Sequence, residues 1–136
     1  MSLPPKFSET SPASTNSPSI VNTSSWLSQG ALRGSVLYSM TKAGLDAMTR
    51  ALTFECADIG VQINNVAPGI VDTPMTSENT TAQMLSAFVD QTLIKRMTTP
   101  HEIAETAIWL CSLGASGVTG QTILVDGGYT IPGNRI

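Results

Sequence analysis

The sequence predicts an α/β fold, a parallel sheet covered by helices, on two observations. Periodic segments follow one another in the order β-α-β-loop-α-β. Short β-prone runs such as TILV carry no polar alternation, which is the pattern of strands buried on both faces. Three strands make a thin sheet for this architecture. The bulk figures suit one modest domain: 136 residues, 41% hydrophobic and 12% charged. A chain of this length buries roughly two-thirds of its extended surface.

Taken in order, residues 1–18 hold four of the eight prolines and five serines without any period. They are expected to form a flexible leader, and residues 19–136 the folded unit. SIVNTS (19–24) is the first strand, followed by a loop containing Gly, Ser and Gln. From Val36 to Ile59, the residues Leu45, Met48, Leu52, Cys56 and Ile59 recur every three or four positions. That spacing predicts an amphipathic helix with this stripe in the core, ended by Gly60. VQINNVAP (61–68) is the second strand, closed by Pro68-Gly69. Residues 76–96 read as a mobile loop with one short helix. In TPHEIAETAIWLCSLG, Thr99 is the N-cap, Pro100 the first helical residue, Glu102 the capping-box partner and Gly114 the stop. TILVDGG (122–128) is the third strand, ending in a glycine turn.

Charge and patterning exclude several classes. A net charge of −3 with seven Lys plus Arg leaves no basic stripe for a phosphate backbone, so no nucleic-acid partner is expected. No apolar run reaches the roughly 18 residues a membrane helix needs, and the first residues lack a signal-peptide core. The triplets Asn22-Thr23-Ser24 and Asn79-Thr80-Thr81 are then chance glycosylation-like matches. Cys56 and Cys111 sit alone in apolar segments, without C-x-x-C spacing or a partner histidine. They read as reduced core residues of a cytoplasmic protein, and no metal site is expected.

The stretch YSMTK carries the chemistry. Tyr38 and Lys42 are four apart, one turn from each other on one helix face. A phenol titrates near pH 10, and a nearby ammonium favours its phenolate. Lowering that pKa by about three units requires roughly 4 kcal/mol of differential stabilisation, which needs shielding from water. The same stretch offers Ser39-x-x-Lys42, as in serine acyl-transfer enzymes. Ser77-Glu78-Asn79 and Val118-Thr119-Gly120 depart from that class's Ser-Asp-Asn and Lys-Thr-Gly elements. Structural roles suit other residues: Ser24 and Ser25 as turn formers, Asn64 tying backbone, Asp126 in a turn, and His101 solvated.

Together, SIVNTSS, YSMTK, NNVAPGIVDTPM and TGQTILVDGG resemble the short-chain dehydrogenase/reductase family in order and spacing, over about 110 residues from Ser19 to Tyr129. The resemblance implies a partial Rossmann-like, doubly wound parallel sheet. It implies an oxidoreductase that moves a hydride between NAD or NADP and a small alcohol or carbonyl substrate. The family's substrate-contacting serine stands thirteen residues before the tyrosine, which is Ser25. By the same resemblance Tyr38 exchanges the substrate proton and with Lys42 contacts the cofactor, Lys42 holding the nicotinamide ribose, and Pro68, Gly69, Ile70 and Thr73 line the carboxamide. Hydride delivery builds negative charge on the carbonyl oxygen, so a proton donor there is chemically required. Family members commonly form dimers and tetramers, which implies homo- or hetero-oligomers.

The chain departs from the family at its glycine-rich turn: no G-x-G-x-x-G or G-x-x-x-G-x-G occurs. The family's Asn-Asn-Ala-Gly element and the asparagine of its proton relay are missing too. The expectation is therefore a C-terminal half that binds cofactor weakly or not at all, with an exposed apolar edge at Ile20-Val21. The alternative is an inactive truncated subunit that co-assembles with a full-length relative. Trp26, Leu27, Arg33 and Met75 are candidate substrate contacts, with no substrate singled out.

Overall fold

The computed structural model describes residues 18–131. Residues 1–17 of the expected leader lie outside the described residues. The elements are β1 (Ser19–Thr23), α1 (Val36–Asp58), β2 (Gln62–Pro68), α2 (Pro74–Asn79), α3 (Ala82–Gln91), α4 (Pro100–Leu110) and β3 (Thr122–Val125). The three strands form one sheet in the order β1-β2-β3. Both pairings are parallel, from Ser19 opposite Gln62 to Thr23 opposite Val66, and from Asn65 opposite Thr122 to Pro68 opposite Val125. The middle strand is buried from Ile63 to Ala67, on both faces as a central strand of a covered parallel sheet should be, with Asn64 and Asn65 among its buried residues. α1 packs on β2, and α4 touches all three strands.

The seating of α1 corrects the expected core stripe. Met48 is 42% and Ile59 75% exposed, while Leu45, Leu52 and Cys56 are half-buried. The fully buried positions are Asp46 and Thr49. They face a polar network: the Asn65 amide donates to Asp46 Oδ1 at 2.9 Å and to Thr122 Oγ1 at 3.0 Å. Thr49 Oγ1 donates to Asn65 Oδ1 at 2.7 Å and accepts from Asn22 Nδ2 at 3.1 Å. Buried amides must find partners, and here the helix supplies them from its polar residues. Asn64, next along β2 and so on the opposite face, donates to the Val118 carbonyl at 2.8 Å and accepts from Gln121 N at 3.0 Å. It ties backbone, as its sequence context suggests.

Other boundaries follow local chemistry. α1 ends at Asp58, and Gly60 takes φ +72°, a conformation that favours glycine. Within the expected loop at 76–96, α3, capped by Thr81, is the short helix, and the polar start belongs to a further helix, α2, which Thr73 caps with Pro74 at its first position. Thr99 and Glu102 form a complete capping box on α4. That helix stops at Leu110 rather than Gly114, because a 3₁₀ turn at Leu113–Ala115 takes over. Cys56 and Cys111 are free, but Cys111 is exposed at the end of α4 and is not a core residue. β1 is an edge of the sheet, with Ile20 44% exposed. Among the described residues, no helix is long and apolar enough to cross a membrane.

Candidate active site

The site lies where β1 and β2 end, which in open parallel sheets is where ligands bind. After β1 the chain turns at Ser24 and Ser25, both buried. Ser25 caps a 3₁₀ turn at Trp26–Ser28, its Oγ accepting from Leu27 N at 3.2 Å. The hydroxyl keeps its own proton to donate. Ser24 Oγ is buried and has no hydrogen-bond partner among the described residues. After β2, Pro68 leads into Gly69, where a Cβ would stand 2.5 Å from Asp126 Cα. Only glycine fits that approach of β2's end to the turn after β3.

α1 brings Tyr38 and Lys42 to the same place from its first two turns. Lys42 Nζ lies 5.6 Å from the Tyr38 ring centroid and donates to the Thr23 carbonyl at 2.8 Å. An ammonium has three protons, so two remain for a ligand. Ser25, Tyr38, Lys42, Pro68, Gly69 and Thr73 all line one open cleft of about 610 Å³. Ile70 does not line it. Its carbonyl accepts from Thr98 N at 3.0 Å and Thr98 Oγ1 at 3.1 Å, fastening the loop after β2 to the start of α4. Thr73 Oγ1 accepts from Thr76 N at 3.3 Å as the α2 cap.

Ser39 points elsewhere. It pairs with Ser35 Oγ at 3.1 Å and lines a separate groove of about 440 Å³ that Lys42 does not reach. The Ser39-x-x-Lys42 spacing thus brings no serine-lysine pair into one cavity. Trp26, Leu27 and Met75 line the cleft, but Arg33 does not. His101 is 80% exposed, 3.6 Å from Glu105. The orphan Ser24 hydroxyl and the Thr23 carbonyl are site features that the sequence pattern does not flag, since both depend on where β1 ends against β2 and α1.

A family model described as enoyl-(acyl carrier protein) reductase matches residues 6–130. A Brucella melitensis structure titled short-chain dehydrogenase/reductase, glucose/ribitol dehydrogenase, superposes with a TM-score of 0.76 at 42% identity. The chain belongs to the short-chain dehydrogenase/reductase family. The match covers 84% of this chain and 46% of that one. A 7α-hydroxysteroid dehydrogenase in complex with NADH and 7-oxo glycochenodeoxycholic acid superposes with a TM-score of 0.79 at 28% identity, over 81% of this chain and 43% of that one. A tropinone reductase homologue of Arabidopsis thaliana is 40% identical over 96 residues, 70% of this chain and 37% of its own length. The chain thus spans less than half the length of these relatives, and its sheet is part of the family's Rossmann-like fold.

The 7α-hydroxysteroid dehydrogenase holds NADH in its complex. The cleft here fits the nicotinamide end of such a dinucleotide. It opens at the ends of two adjacent parallel strands, holds the unpartnered Ser24 hydroxyl, and offers a lysine with donors to spare.

Proposed function

We propose that this chain carries the proton-transfer site of an NAD- or NADP-dependent oxidoreductase acting on a small alcohol or carbonyl compound. The observation that carries the reading is the convergence of Ser25, Tyr38 and Lys42 with Gly69 and Thr73 on one cleft. The nicotinamide, when bound, supplies or accepts the hydride. Ser25 Oγ–H donates a hydrogen bond to the substrate oxygen, and the Tyr38 hydroxyl gives or takes its proton. The Lys42 ammonium, beside the phenol, holds ribose hydroxyls with the protons left over from its Thr23 bond. Pro68, Gly69, Ile70 and Thr73 shape the carboxamide side, Ile70 through its backbone. The two free cysteines support a cytoplasmic setting.

The test is a chimera in which this chain replaces the matched segment of the Brucella melitensis relative. Dihydronicotinamide consumption with ketone substrates, using NADH and NADPH separately, reports turnover. No turnover with either cofactor, in a folded chimera, would overturn the reading.

A second reading is an inactive subunit that co-assembles with a relative. It is favoured by the apolar outer face of α1, where Leu37 is 78%, Met40 64% and Phe54 79% exposed, and by β1 as an edge of the sheet. A chain that co-purifies with an intact relative and adds no turnover is the outcome this reading requires.

A further inference from the structure

We infer that the cleft selects a substrate with an uncharged, apolar body and a single polar end, in preference to a polyol or an oxo acid. This rests on the oxidoreductase reading and deepens it. Four polar side chains of the lining, Ser24, Ser25, Tyr38 and Lys42, gather at one end, and the others are Thr23, Thr73 and Thr76. The remaining wall is built by Trp26, Leu27, Pro74, Met75, Pro100 and Ile103. Among the described residues no carboxylate and no cation other than Lys42 lines the cleft, and one of that ammonium's protons is held by the Thr23 carbonyl.

The hydroxyls on the far wall are engaged with each other. Thr73 Oγ1 and Thr76 Oγ1 stand 3.2 Å apart, and Thr73 Oγ1 also accepts from Thr76 N. A polyol would bring several hydroxyls against a surface with few free partners, and each buried unpaired hydroxyl weakens binding. An oxo acid would bring a carboxylate without an arginine to receive it, since Arg33 lies outside the cleft. Trp26 is 5% exposed and rigidly held, edge-on to Tyr129 at 4.8 Å, with Phe88 on Tyr129 at 5.9 Å. It gives the wall a fixed apolar surface. Met75 is 73% exposed on α2 and supplies an adaptable thioether at the mouth.

The experiment uses the full chain with Trp109→Phe, which leaves Trp26 as the only tryptophan. Its fluorescence is titrated with trans-1-decalone, fructose and levulinate, with and without NADH. The expected result is a saturable change with decalone at concentrations about tenfold or more below those needed for fructose or levulinate. Met75→Glu, at an exposed position, weakens decalone binding by about tenfold without moving the urea midpoint. No saturable response to decalone, or equal or tighter binding of fructose or levulinate, overturns the inference. Decalone binding together with a folded but inactive chimera would support the apolar cleft and overturn the oxidoreductase reading. Turnover of fructose in preference to decalone would do the reverse.

Discussion

Lys42 Nζ donates a 2.8 Å hydrogen bond to the carbonyl oxygen of Thr23, the last residue of β1. The bond joins the second turn of α1 to the strand end beside Ser24, so it fixes the phenol-bearing helix over the cleft. Lys42→Met removes both this tie and the one cation that lines the cleft among the described residues. Turnover by the chimera should fall by about two orders of magnitude. Stability should drop by only about 1 kcal/mol in urea unfolding of the full chain, the net worth of one hydrogen bond.

Asp46 holds α1 to β2 through the Asn65 amide. Asp46→Ala leaves that buried amide short of a partner and should cost about 1–3 kcal/mol in urea unfolding. Asp46→Asn keeps an acceptor oxygen in place and should recover most of the loss. An unchanged midpoint for the alanine variant would show that the network carries no stability.

Gly69→Ala puts a methyl group 2.5 Å from Asp126 Cα and 2.6 Å from its Cβ. The clash is with backbone, so the two strand ends must separate, at a cost of about 1–3 kcal/mol. Because Gly69 is also cleft floor, turnover by the chimera should fall with it. Retained stability and turnover would mean that this approach is not essential.

Glu102 links the capping box to an ion pair. Its carboxylate receives two guanidinium bonds from Arg96, at 2.6 and 2.9 Å, and one from Thr99 N at 2.8 Å. The Arg96 hydrogen bonds first, and then the Thr99 backbone, hold its pKa down at about 2 from an ordinary 4.5. Folding therefore gains from this group above about pH 4.5 and loses the gain as pH falls toward 2. Acid unfolding of Glu102→Gln, compared with the unaltered chain, should show a shallower fall across that window. An identical fall would contradict the linkage.

Local features were the legible ones. Thr99-Pro100-Glu102 and Gly60 act within their own turns, so their spacing alone marks helix ends. Tyr38 and Lys42 were legible because four residues make one helical turn. The buried face of α1 was not: Asp46 and Thr49 are polar, and they are buried because Asn65 and Asn22 meet them from other strands. Thr73-Pro74 carried a cap signal for α2 of the same kind as Thr99-Pro100, but the polar residues after it hide a helix with no buried face. Ser24's unpartnered hydroxyl needs the tertiary fold to exist at all.

The central claim is that Tyr38 handles the substrate proton. Its most direct test is turnover of Tyr38→Phe in the chimera, with dinucleotide binding followed in parallel by fluorescence. The account predicts a loss of about 10²–10⁴-fold in turnover with dinucleotide affinity unchanged, as removal of a general acid or base produces. Turnover within a few fold of the unaltered chimera would contradict it.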